Sequence, residues 1–248
     1  PARHRWADAA VAAVAASGYG LTEMLAQRVA AHPGRTLFTD GPLPGAPRWS
    51  YAHVSRRADA TAAALLTLEA DPRVAIVSEN GFDSACVDLS CLLHGLLVSP
   101  LSPHLTPGEL TAAFDALGVN LAVVSSEESL RRLRETARHT AHPFRIVLLD
   151  EAAELAGKGD VVLGEALAAQ AEASVPVALA RAPRRGLRET CTVLFTSGST
   201  GGQKGVAFSM ENLVTKRFAR AAALPFVGEE EVLLCFLPLY HTFGRYLE

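Results

Sequence analysis

Residues 191–208 read CTVLFTSGSTGGQKGVAF. Two apolar runs, 191–195 and 206–208, enclose a Ser/Thr/Gly loop that carries a single lysine. Glycines at 198, 201, 202 and 205 let the backbone aim its N–H groups at one point and let a ligand approach without Cβ obstruction, which suits a chain of phosphates. The hydroxyls of Thr196, Ser197, Ser199 and Thr200 add donors, and Lys204 adds a compact positive charge. Gly/Ser composition alone also describes a flexible linker, but a linker needs no apolar entry and exit. The stretch therefore reads as a phosphate cradle between two strands, with Thr196, Ser197, Gly198, Ser199, Thr200, Gly201, Gly202 and Lys204 as its binding residues.

Two better-known phosphate loops do not fit. A Walker-type loop requires G-x-x-x-x-G-K-S/T, whereas Gln203 precedes Lys204 and Gly205 stands where the magnesium-binding hydroxyl belongs. A dinucleotide-binding domain requires G-x-G-x-x-G after its first strand, and the segment after Val77 reads SENGFDSAC, with one glycine.

Upstream, short apolar runs at 74–78, 96–99, 121–125 and 146–149 alternate with helix-compatible stretches such as 84–93 and 107–117. This is the pattern of parallel βαβ units. Thr106-Pro107 followed by Glu109 marks a helix start, with a capping hydroxyl, proline at the first helical position and an acid in the first turn. Turn-rich connectors, GPLPGAP at 41–47 and ARAPRRGLRE at 180–189, punctuate the chain. The prediction is an α/β fold of mostly parallel sheets flanked by helices.

The loop residues resemble the adenylate-forming superfamily of acyl-CoA synthetases, nonribosomal adenylation domains and luciferases. Its signature Y/F-T-S-G-S/T-T-G-x-P-K-G-V is matched by residues 195–206 except at Gln203, where proline is usual. Residues 237–244, LPLYHTFG, are similar to the family's L-P-L/M-F/Y/S-H-x-x-G element, and the resemblance places His241 beside the bound acyl group and nucleotide. Lys204 and His241 are thereby the candidate catalytic residues. Read alone, a histidine after an apolar run is a packed core residue more often than a catalyst. The resemblance extends over 21–40 (opening helix and first strand), 49–66 (the T-Y-x-E-L segment, with His53 at an often acidic position) and 91–124, which contains LLHGLLVSPLSPHLTPGEL. It implies an N-terminal extension at 1–20 and an α/β subdomain at 72–205 that ends in the phosphate loop. Residues 21–71 and 206–248 then form part of a second α/β subdomain.

The resemblance also implies an activity: ATP-dependent activation of a carboxylic acid to an acyl-adenylate with release of pyrophosphate, then thioester formation with CoA. ATP, Mg2+ and CoA are the implied cofactors, and a carboxylic acid and the thiol of CoA or of a carrier protein the implied partners. The family's later motifs fall outside these 248 residues: a magnesium-binding glutamate, a ribose-binding aspartate, a hinge and a mobile C-terminal domain. The chain is accordingly expected to be a truncated N-terminal portion that holds little of the Mg2+ site and is inactive alone. An interrupted second sheet should expose an edge and an apolar face, favouring dimerisation. The alternative is a noncatalytic nucleotide-binding or interaction subunit that needs a partner chain.

Composition narrows the setting. A formal net charge of -3 carries no nucleic-acid footprint. Residues 9–16 are alanine- and valine-rich, but Asp8 borders them, so a packed or solvent-facing helix is expected rather than a leader or a membrane span. Cys86 and Cys91 fall on a predicted helix, and Cys191 and Cys235 in apolar strand-like runs; all are expected reduced and buried, as in a cytoplasmic protein. His139 and His142 are read as loop residues, since no cysteine or carboxylate cluster completes a metal site around them.

Overall fold

The computed structural model describes residues 2–41, 43–197, 203–228, 230–241, 244 and 245, with backbone only for 2–7, 10, 11, 197 and 203. Helices α1 (Ala2–Ser17) and α2 (Leu21–Ala31) precede a small antiparallel pair, β1 (Thr36–Thr39) and β2 (Arg48–Ser50). Then α3 (Tyr51–Leu68), β3 (Arg73–Val77), α4 (Phe82–Leu93), β4 (Leu97–Leu101), α5 (Pro107–Leu117), β5 (Leu121–Val124), α6 (Glu127–Thr136) and β6 (Arg145–Leu148) alternate. After β7 (Val161–Val162), α7 (Leu163–Ala168) and α8 (Val175–Leu179) come β8 (Thr190–Ser197), β9 (Gln203–Ser209) and α9 (Met210–Ala223).

Seven strands form one sheet in the order β7-β6-β5-β3-β4-β8-β9. Every pairing is parallel except β8 with β9, which is antiparallel. The central strands carry apolar residues on both faces because both are covered. Val74, Ile76, Leu121, Val123 and Val147 join one core with Leu65 of α3, Cys91 of α4 and Leu213 of α9. Ala75, Val77, Ala122, Val124 and Leu148 join the other with Phe114 of α5 and Leu133 of α6. That is the predicted architecture, with β3, β4, β5 and β6 within two residues of the expected runs.

Caps set the helix ends. Thr106 accepts from the Glu109 N–H at 3.3 Å while the Glu109 carboxylate accepts from the Thr106 N–H at 2.8 Å, a reciprocal capping box. Ser50 caps α3 and Ser209 caps α9. Helix α1 lies against α9. No helix among the described residues is long and apolar enough to cross a membrane.

Two expectations are overturned. Residues 231–236 form no strand, and Val232, Leu234 and Phe236 stand 83%, 80% and 71% exposed. An apolar run becomes a strand only where a neighbouring strand completes its backbone ladder, and none of the described strands pairs with this one. Cys235, in the same run, is therefore exposed rather than buried, while Cys86, Cys91 and Cys191 are buried. Strand β9 continues to Ser209 within the seven-stranded sheet, four residues beyond position 205.

Candidate functional site

Strand β8 runs parallel to β4, so its C-terminal end lies at the same edge of the sheet as the ends of β3 and β4. In open α/β sheets this carboxyl edge is where ligands bind. β8 ends here at Ser197, and β9 starts at Gln203. Cross-strand register places Thr196 opposite Lys204 and Ser197 opposite Gln203. Thr196 and Lys204 are both exposed, and the Thr196 hydroxyl donates to the Lys204 carbonyl at 3.4 Å. The strands thus bring the first hydroxyl and the lysine of the motif together at the mouth of the loop. Gly198, Ser199, Thr200, Gly201 and Gly202 lie outside the described residues.

Gly205 has its own reason to be small. It faces Phe195 in the register, and a Cβ there would stand 3.1 Å from Val193 Cγ1 and 3.4 Å from the Phe195 ring. The ring covers the glycine and stiffens the base of the hairpin.

The LPLYHTFG segment is seated at the same edge by a residue that sequence reasoning did not single out. Asn80, just after β3, donates from Nδ2 to the Leu237 carbonyl at 2.7 Å and accepts at Oδ1 from the Leu239 N–H at 2.9 Å. One amide side chain therefore mimics a strand partner for the turn. The His241 N–H donates to the Pro238 carbonyl at 2.9 Å, and the His241 carbonyl accepts from the Arg245 N–H at 3.1 Å. Gly244 is buried; a Cβ there would stand 2.4 Å from the Pro238 oxygen and 2.9 Å from the Leu237 oxygen, so only glycine closes this turn. His241 is exposed at its crest.

Arg245 is the second residue missed. It is 4% exposed and donates from Nε to Asp88 Oδ2 at 3.1 Å and from Nη2 to Asp88 Oδ1, a bidentate pair, while Nη1 donates to the Thr192 hydroxyl. Burial pushes the Asp88 carboxyl up, and the Arg245 guanidinium opposes that shift. A visible signal existed: Asp88 interrupts the apolar helix sequence FDSACVDLSCLL, which demands a cationic partner once that helix packs.

Beneath the turn, Ser78, Ser84, Asp88, Pro100, Leu239 and Tyr240 line a cavity of about 10 Å³, room for about one water. A larger cavity, about 400 Å³, lies where Ala12, Ala15 and Ala16 of α1 face Leu187, Arg188 and Glu211, and holds no motif residue. No group of three His, Cys, Asp or Glu residues with metal-binding geometry occurs among the described residues. His139 lies beyond α6, exposed, 3.1 Å from Glu135.

The arrangement is a hairpin that bears Thr196 and Lys204 and a histidine-bearing turn, both mounted on the carboxyl edge of an open α/β sheet. The chain belongs to the AMP-binding enzyme family, whose model matches residues 25–248. It is 30% identical over 196 residues to "Long-chain-fatty-acid--CoA ligase FadD15" of Mycobacterium bovis, covering 76% of this chain and 31% of that protein. It is 25% identical over 211 residues to human "Long-chain-fatty-acid--CoA ligase 6", covering 80% and 30%. Its fold matches a benzoate CoA ligase from Burkholderia xenovorans with a TM-score of 0.73 at 17% identity, covering 92% of this chain and 42% of that one. The chain thus spans about a third of the length of the curated relatives it matches.

Proposed function

We propose that this chain carries the phosphate-binding part of an enzyme that uses ATP to activate a carboxylic acid. A carboxylate oxygen attacks the α-phosphorus, an O–P bond forms, and the bond from the α-phosphorus to the bridging oxygen breaks with its electron pair leaving on pyrophosphate. The thiol of CoA, or of a carrier protein, then attacks the acyl carbon and AMP departs. Charge builds on the leaving pyrophosphate, and Lys204 with the hydroxyl and N–H donors of Thr196, Ser197, Ser199, Thr200 and the loop glycines would stabilise it. Donors fixed before the reaction need no reorganisation as that charge appears. His241 would line the acyl and nucleotide pocket from the Asn80-held turn.

The observation that carries this reading is the β8–β9 register, which sets Lys204 and Thr196 opposite one another at the mouth of the motif loop. Mg2+ supplies charge neutralisation on the phosphates when bound, and the described residues assign it no ligand set. We assign residues 72–205 to one subdomain and 21–71 with 206–248 to a second, with the β8–β9 hairpin bridging the boundary, and the enzyme to the cytoplasm. The catalytic parts that the longer relatives carry beyond this stretch would come from the remainder of the enzyme. With this chain alone, phosphate contacts remain but control of the attacking carboxylate is lost, so it should bind nucleotide weakly and form no adenylate.

The exposed apolar residues Phe226, Val232, Leu233, Leu234 and Phe236 favour a second reading, a noncatalytic nucleotide-binding subunit completed by a partner chain. Lys204→Ala decides for the first: acid-dependent exchange of pyrophosphate into ATP by the whole enzyme should fall at least about tenfold, since one preorganised donor contributes roughly 3 kcal/mol. Undiminished exchange in that variant refutes the role of Lys204; absence of exchange in the unmodified enzyme refutes the activity.

A further inference from the structure

We infer that Arg245 is a positioning residue that locks the His241 turn to the strand carrying the phosphate loop. Two elements meet at its guanidinium, and a third is reached through one of them. Asp88 of α4 accepts through both carboxylate oxygens, the Thr192 hydroxyl of β8 accepts from Nη1, and that hydroxyl in turn donates to the Val98 carbonyl of β4 at 2.6 Å. Thr192 lies four residues before Thr196 on the same strand. On the other side, the Arg245 N–H closes on the His241 carbonyl, and Gly244 packs against the Pro238 and Leu237 oxygens. The route from His241 to the loop is therefore continuous: turn, guanidinium, Thr192, β8, Thr196.

The turn is held at two points with different chemistry. Asn80 grips its first half, at Leu237 and Leu239, from the end of β3. Arg245 grips its second half from β8 and α4. A single hold leaves a turn free to pivot; two holds on different strands fix it. The guanidinium suits this because its planar fork meets both carboxylate oxygens and still has a donor for Thr192, which a lysine ammonium cannot reproduce. Both partners are buried away from bulk solvent: Arg245 is 4% exposed and Asp88 8%. Ser99 Oγ, also buried, donates to the Val193 carbonyl at 2.8 Å, so β8 is pinned to β4 at Thr192 and again at the next residue, and offers a rigid anchor.

Two variants separate positioning from plain stabilisation. Arg245→Lys keeps the charge and loses the fork. Arg245→Met with Asp88→Leu removes both charges together, an exchange that buried pairs tolerate without loss of fold. Hydrogen exchange of the unmodified chain and of both variants is read in peptides covering 236–241 and 73–77. In both variants the 236–241 amides should exchange at least about tenfold faster while β3 stays unchanged. Unchanged exchange at 236–241 overturns the inference, and so does equal acceleration of both peptides, which would make Arg245 a general stabiliser. The catalytic consequence rests on the proposed acid activation: in the whole enzyme both variants should lower kcat for pyrophosphate exchange about tenfold with KM for ATP about constant, the pattern of lost alignment. A fall confined to ATP affinity overturns it. If the unmodified enzyme shows no exchange, the proposed function fails while the hydrogen-exchange result stands on its own.

Discussion

Replacing Gly95 with alanine should destabilise the fold by about three times as much as the same change at Gly118, and the difference tests the packing ahead of β8. Both glycines follow a helix in the left-handed region, at φ 69° and 61°. Both close a Schellman-type turn, Leu96 N–H to the Cys91 carbonyl at 2.9 Å and Val119 N–H to the Phe114 carbonyl at 3.0 Å. The backbone penalty for alanine is then the same in each, about 1 kcal/mol, and so is the entropy alanine removes from the unfolded chain. What differs is the surroundings. A Cβ on Gly118 meets Arg73 Nη1 at 3.3 Å, the end of a side chain that can move aside. A Cβ on Gly95 meets the Pro183 backbone oxygen at 2.5 Å, and that loop is tied down because Arg185 Nε donates to the Gly95 carbonyl at 2.7 Å. Relieving the overlap shifts the 183–185 backbone and weakens that charged hydrogen bond, together about 2 kcal/mol. For a chain of this size the midpoint falls about 2–4 °C per kcal/mol. Thermal unfolding followed by circular dichroism should therefore show a loss of about 2–4 °C for Gly118→Ala and about 6–12 °C for Gly95→Ala. Equal losses would refute the close approach of the 183–185 loop to the end of α4.

Thiol chemistry gives a second test: a disulfide reagent at neutral pH should modify Cys235 rapidly in the native chain and the other three thiols only on unfolding. Burial pushes Cys86 up to about 12 and Cys191 up to about 11, and raises Cys91 as well, so none presents a thiolate; more than one fast equivalent would contradict this packing. Acid stability gives a third. The Thr106 N–H, then its hydroxyl, hold the Glu109 carboxyl below the ordinary glutamate range. A folded value below the unfolded one means stabilisation that is present above the unfolded pKa and lost as pH falls through the folded pKa. The urea midpoint advantage of the unmodified chain over Glu109→Gln should accordingly shrink on acidification, and a gap independent of pH would remove the carboxylate from the cap.

How much of this was legible in the sequence depended on whether the cause was local. Strands β3, β5 and β6 are short runs of Val, Ile, Leu and Ala with both faces covered, so their composition alone marks them. The α5 start was legible because Thr106, Pro107 and Glu109 settle it among themselves. Residues 231–236 fail by the same logic inverted. VLLCF has strand composition, but a strand is a relation between two segments, and nothing within the run says whether a partner exists. Strand β7, two residues long, leaves no periodicity to read.

The site divides along the same line. The loop and the LPLYHTFG element are contiguous motifs, and the placement of Thr196 opposite Lys204 follows once both flanking runs pair as a hairpin. The parts that hold those motifs in place are not contiguous: Asn80 lies 157 residues from Leu237, and Asp88 is as far from Arg245. Each of these residues reads locally as something ordinary, a turn asparagine after a strand or an arginine near a run of aromatics. Their roles exist only after the sheet brings the end of β3, the body of α4 and β8 to one edge. The chemistry is thus written in short motifs, while the geometry that would make it effective is written in distant single residues, which is why Arg245 and Asn80, rather than further loop residues, are the informative positions to perturb.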